Sequence, residues 1–206
     1  MKKQTIFSTV LIGGLLTLAG CVTGQGGGSG SGIKEMTMSL PQQVQWVVSQ
    51  NKTGKDGNQV TEWVPKGFKT NNTPVRIIYQ KMVPANKPQD IVAQMAGSLK
   101  KNCNDIKVSE FKSASKYPNQ VNAEVLCGKL GKSPVGIAMY SSVFTDANAN
   151  HLVIGEVKIP ASKKAGVLDP KTKKEKEQAR NAAGLVQLVQ GFMQTVRACE
   201  SKGKCM

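Results

Sequence analysis

With 206 residues, 28 Lys and Arg against 13 Asp and Glu, and a formal net charge of +15, the chain is a basic protein of one-domain size without an internal repeat. A single histidine, His151, means that any Ser/His/Asp or Cys/His/Asp arrangement would have to use that one residue. The charge can steer the chain toward polyanions, without choosing among lipopolysaccharide, anionic lipid, nucleic acid and acidic protein.

Lys2 and Lys3 precede an apolar run from Ile6 to Leu18, which contains Gly13 and Gly14 and is shorter than the roughly 20 residues of a spanning helix. Leu18-Ala19-Gly20-Cys21 ends that run. The arrangement resembles the type II signal peptide of bacterial lipoproteins, with its lipobox. The resemblance implies cleavage between Gly20 and Cys21 and anchoring in the lipid bilayer through acylated Cys21. Val22 stands where, in lipoproteins of enteric bacteria, an aspartate would favour retention in the inner membrane. The same resemblance therefore implies the outer membrane, with the chain facing the periplasm. Removing residues 1–20, including Lys2 and Lys3, leaves 186 residues and lowers the charge from +15 to +13.

Residues 21–40 read as the lipidated cysteine and a Gly/Ser-rich tether, with GQGGGSGSG at 24–32 as its low-complexity centre. The domain, 41–206, is expected to begin near Pro41. Val44, Trp46 and Val48 share one face at the period of a strand, and Val60–Val64 and Val75–Met82 read as two more. Pro88 then opens a helix in which Ile91, Val92, Met95 and Leu99 recur at one-turn spacing. Asp90 suits its positive end, and Lys100 and Lys101 its negative end.

Four further strands are predicted at 106–111, 121–127, 135–144 and 152–159, joined by hairpins. Val121, Ala123, Val125 and Cys127 occupy one face of the second. A last helix, 173–199, lines up Leu185, Leu188, Val189, Phe192, Met193 and Val196 toward a core. The order βββαββββα indicates an α+β fold, an antiparallel sheet packed by an amphipathic middle helix and a C-terminal helix. This order resembles the Mog1/PsbP-like architecture of several small bacterial lipoproteins, a resemblance that implies a fold and no function.

With Cys21 lipidated, Cys103, Cys127, Cys199 and Cys205 remain, an even number in a disulfide-permissive compartment. Three pairings are open. Cys103 with Cys127 and Cys199 with Cys205 are preferred because each closes a local loop, and no cysteine pair has the close spacing of a structural zinc site. Lys163, Lys164, Lys171, Lys173, Lys174 and Lys176 form the densest basic segment, a solvated loop and helix start or a patch for an anionic partner. It contains no aromatic residue, which disfavours nucleic acid bound by stacking.

Chemistry is sparse. His151 falls at a predicted loop-to-strand boundary and is expected to be exposed. Ser109, Ser141 and Ser142 lie in predicted strands outside any nucleophile-elbow pattern. GKLGKS at 128–133 has phosphate-loop residues at the wrong spacing, with Leu126 where the first glycine belongs, so Gly128 and Gly131 read as turn residues. No catalytic residue, metal ligand or cofactor is assigned. The expected function is a non-enzymatic binding or assembly module of the envelope, an accessory subunit of a secretion or other envelope machine. An immunity protein that occludes a toxin and a binder of an anionic envelope polymer are the alternatives.

Overall fold

The structure is a computed structural model that describes residues 32–201 and 203–206; the lipobox, Cys21 and most of the expected tether lie outside the described residues. In chain order the elements are β1 (Glu35–Thr37), β2 (Trp46–Thr53), β3 (Gln59–Pro65), β4 (Val75–Met82), α1 (Pro88–Lys100), β5 (Ile106–Glu110), β6 (Gln120–Cys127), β7 (Val135–Thr145), β8 (Asn150–Pro160), α2 (Lys173–Met193), β9 (Arg197–Ser201) and β10 (Lys204–Cys205). The fold is α+β. Seven strands make an antiparallel sheet in the order β2-β3-β4-β8-β7-β6-β5, and β1, β9 and β10 make a small second one.

The hairpins at 111–119, 128–134 and 146–149 lay β5 to β8 side by side, and β8 then pairs with β4 from Val75↔Val157 to Met82↔Asn150. Strand alternation divides the central residues between two cores. Ala138, Tyr140, Phe144, Val153 and Val157 pack with Val189, Phe192 and Met193 of α2. Ile137, Met139, Val143, Leu152 and Ile154 pack with Ile91 of α1. The helices therefore cover opposite faces, which is why β7 and β8 read as nearly continuous apolar runs. Gly155 brings α2 close, since a Cβ there would run into the Val189 side chain.

Three expectations shift. The domain starts before Pro41: Ile33, Met36 and Met38 are buried, and β1 pairs with β9. Their apolar side chains complete the α2-side core, so only the chain up to residue 32 is left to act as a spacer. The last helix stops at Met193, because Val196 and Ala198 are needed in and around β9 to seal that core, with Cys199 buried beside them. The Cys199–Cys205 bond accordingly closes the β9–β10 hairpin, not a fraying helix end. Finally, Trp46 and Val48 do not share a burial: on the edge strand β2, Val48 is 56% exposed, while Trp46 is half-buried and donates its Nε1–H to the Pro41 carbonyl.

Candidate anionic-partner interface

Three loops meet at the end of the sheet where β6 stops, β7 starts and β8 stops. Residues 101–105 follow α1, 128–134 join β6 to β7, and 161–165 leave β8. Their first link is covalent: Cys103 is bonded to Cys127, with Cα atoms 5.6 Å apart. Asn104 supplies the second. Its backbone N–H donates to the Lys129 carbonyl at 3.0 Å, and its amide nitrogen donates to the carbonyls of Ser162 and Lys163 at 3.0 and 3.2 Å.

The backbone N–H groups of Gly131 and Ser162 donate to the carbonyls of Asn102 and Gly128. Gly128 is buried where these loops cross; a Cβ there would lie 3.0 Å from both Asn104 Oδ1 and the Ser162 carbonyl. Gly131 turns the hairpin with φ of +55°, and a strand, not a helix, follows. The GKLGKS segment is thus a turn.

The join fixes the backbones beneath six lysines: Lys100, Lys101, Lys129, Lys132, Lys163 and Lys164. All are exposed except Lys129, which is half-buried. One acidic residue lies in the three loops, Asp105, and its Oδ2 already accepts the Ala165 N–H at 2.8 Å. Six lysines against that one carboxylate leave the three loops and the end of α1 with an excess of positive charge.

Of the six lysines expected from sequence, Lys163 and Lys164 join this platform. Lys171, Lys173, Lys174 and Lys176 continue from it as exposed residues at the start of α2. That start is a capping box: Thr172 Oγ1 accepts from the Glu175 N–H, and Glu175 Oε2 accepts from the Thr172 N–H. The backbone N–H groups of Thr172 and Lys171 hold the Glu175 carboxyl below its usual range. Glu175 thus serves the helix start among the lysines.

Sequence alone does not mark Lys100, Lys101, Lys129 and Lys132 as partners of this segment: the first two suit the negative end of a helix dipole, and the others fall in a turn. A usable signal was present in the cysteines. Lys101 stands two residues before Cys103 and Lys129 two after Cys127, so pairing those cysteines brings the lysines together.

At the other end of β7 and β8, His151 is buried at 4% exposure, contrary to the exposed position expected from sequence. The reason is tertiary. Tyr79, from neighbouring β4, places its hydroxyl 2.9 Å from Nδ1, and the segment entering at Ile33 closes over the β7–β8 turn. Nε2 is buried without a hydrogen bond, 3.7 Å from Asp146 Oδ2.

Burial pushes the His151 imidazole down to about 4, outweighing the attraction of Asp146 and reinforced by repulsion from Lys81. Burial opposes the charge on Asp146, yet the N–H groups of Asn148, Ala149 and Ile33, helped by His151, hold its carboxyl below the ordinary range. No serine, threonine or cysteine among the described residues hydrogen-bonds to His151. The cluster fastens the turn and the incoming chain.

Other buried polar groups are likewise engaged in the fold. Tyr140 donates to Glu124 at 2.6 Å and accepts from Gln190 at 2.9 Å, while Ser109 donates to the same carboxylate. Burial, with Glu124 beside it, pushes the Tyr140 phenol up. Ser141 and Ser142 donate to the Ala123 carbonyl and Asn122 Oδ1. Arg76 pairs with Glu156 at 2.7 Å and lies 3.9 Å from Glu62. An open cleft of about 480 Å³ beside the start of α1 is lined by neutral side chains such as Asn86, Gln89, Asn119 and Gln120, with Lys87 its one charged residue.

Among the described residues, no group of three His, Cys, Asp or Glu is placed to hold a metal ion, and no helix is long and apolar enough to cross a membrane. Trp63 is buried in the α2-side core. No protein-family model matches the chain, and no curated protein matches it either.

Proposed function

We propose that the chain is a lipid-anchored lipoprotein of the bacterial envelope, attached through acylated Cys21 to the outer membrane on its periplasmic side. There it acts as a non-enzymatic binding or assembly module, an accessory part of a secretion system or another envelope machine. The observation that carries this reading is the three-loop platform, which holds six lysine positions on a braced backbone, five of them exposed and Lys129 half-buried. Fixed charges of one sign select a partner of the other sign and speed its encounter.

The buried clusters around His151 and Tyr140 support the same reading, because their hydrogen bonds go to the sheet, to α2 and to the β7–β8 turn. The test is photocrosslinking in cells, with a reactive residue at Lys132 on the platform or at Lys55 in the β2–β3 turn. A partner captured from position 132 and not from 55, together with loss of membrane association in Cys21→Ser, is the expected result. Equal capture from both positions would contradict the platform. Unchanged membrane association of Cys21→Ser would contradict the anchor.

A further inference from the structure

We infer that the lysine platform faces away from the membrane that anchors the chain and binds an anionic polymer, phosphate- or carboxylate-bearing, presented from the side opposite that membrane. The inference rests on the anchored-module reading above. Its first support is the position of the two ends. The chain coming from Cys21 enters at Ile33, whose N–H donates to Asp146 Oδ2 at 2.8 Å in the β7–β8 turn. The platform lies at the opposite ends of the same two strands, past Val135 and Pro160.

Each strand has 11 residues, so the two ends are about 33 Å apart. Residues 22–32 separate the acylated cysteine from Ile33. Fully extended they would span at most about 40 Å, and a coil of that length averages roughly 18 Å. With the strands standing along the membrane normal, the entry end sits near the bilayer and the platform about 33 Å farther out. In that orientation own-leaflet headgroups lie beyond the Debye length of about 8 Å at physiological salt.

The second support is the chemistry of the charges. All six basic residues in the platform are lysines, and the three loops contain no arginine and no aromatic residue. Protein-binding surfaces are enriched in arginine and aromatic anchors and depleted in lysine, and single-stranded nucleic acid is held by aromatic stacking. Lysine instead offers a mobile point charge that does not demand one ligand geometry. Six such charges over a braced backbone fit a flexible polyanion better than a folded protein face.

The test places the acylated mature chain in phosphatidylcholine vesicles and measures its binding to long-chain inorganic polyphosphate. Mass spectrometry of the Cys21 peptide comes first. Absence of acyl chains overturns the anchor and the orientation together, whereas polyphosphate affinity judges the polymer separately. Replacing Lys100, Lys101, Lys129 and Lys163 by Gln is expected to weaken polyphosphate binding on the order of 100-fold at low salt. Replacing Lys52, Lys55, Lys87 and Lys116, away from the platform, is expected to weaken it less than about fivefold.

Comparable losses in the two variants overturn the polymer site. Failure to bind polyphosphate, with position 132 capturing an acidic protein in cells, overturns it in favour of a protein partner. Adding phosphatidylglycerol to the same vesicles distinguishes orientation. Affinity at 0.15 M salt is expected to change by less than about threefold, because the platform stands beyond the screened surface potential. Strong competition by those headgroups, with acylation intact, overturns the orientation.

Discussion

The two ends of the β7–β8 pair handle charge in opposite ways. At the platform end, Asn104, Gly128 and the Cys103–Cys127 bond tie three backbones together, while the lysines they carry project into solvent. At the entry end, Asp146, His151 and Tyr79 turn their ionisable groups inward, and Asn150 bonds to Asn86 and Thr145. Both ends are braced by hydrogen bonds. The difference is that one spends its polar groups on holding the chain, while the other uses its backbone for that and leaves side-chain charge available.

The largest effect separating the ends should come from the disulfides. Replacing Cys103 and Cys127 by Ser opens a link across 24 residues and should cost about 3.5 kcal/mol by loop-closure entropy, against about 2 kcal/mol for Cys199 and Cys205, six residues apart. Urea denaturation reads both costs. Polyphosphate affinity should fall only in the first variant, because only that bond braces the platform.

Acidification should next single out the entry end. His151 has its pKa depressed in the folded chain, so the unfolded state takes up the proton first as pH falls below about 6.5. The stability associated with neutral His151 is present above that pH and is lost progressively toward about 4, where the folded state is protonated too. A loss of roughly 2–3 kcal/mol is expected between pH 7 and 4. Denaturation midpoints of His151→Gln should show a flatter pH dependence over this interval; a slope equal to that of the unsubstituted chain would contradict the buried neutral imidazole.

Gly128→Ala is a finer test of the platform. Its new methyl would press on Asn104 Oδ1 and two backbone atoms of the 161–165 loop, for about 1–2 kcal/mol. Polyphosphate affinity should fall with it if the crossing sets the lysine positions. Smallest is Thr172→Ala, which removes the α2 cap for about 1 kcal/mol in thermal or urea unfolding and should leave affinity nearly unchanged.

Much of the fold was legible because local pattern and burial agreed. Val121, Ala123, Val125 and Cys127 do share a face, and the hairpin signals around β6, β7 and β8 describe a real meander. Helix α2 was legible in its apolar stripe but not in its end, since Val196 and Cys199 stay at apolar positions after the helix gives way to a strand. The partner that makes that strand possible, β1, sits 162 positions earlier in the pairing of Thr37 with the region of Cys199.

The platform was only half legible. Lys163 and Lys164 were visible as a dense run, whereas Lys100, Lys101, Lys129 and Lys132 become neighbours only through the disulfide and Asn104. His151 was unreadable for a related reason: its burial depends on Tyr79, 72 residues away, and on the chain at Ile33. Composition reports how much charge a chain has, but long-range closure decides which charges meet.

The most direct measurement of the central claim is the salt dependence of polyphosphate binding by the mature chain and by the variant with Gln at 100, 101, 129 and 163. The expected result is a steep fall of log affinity with log salt, made shallower by about three in the variant, because each of the four lost lysines no longer displaces a counterion from the polymer. Parallel slopes, with affinity unchanged by the four substitutions, would contradict recognition at this end of the sheet.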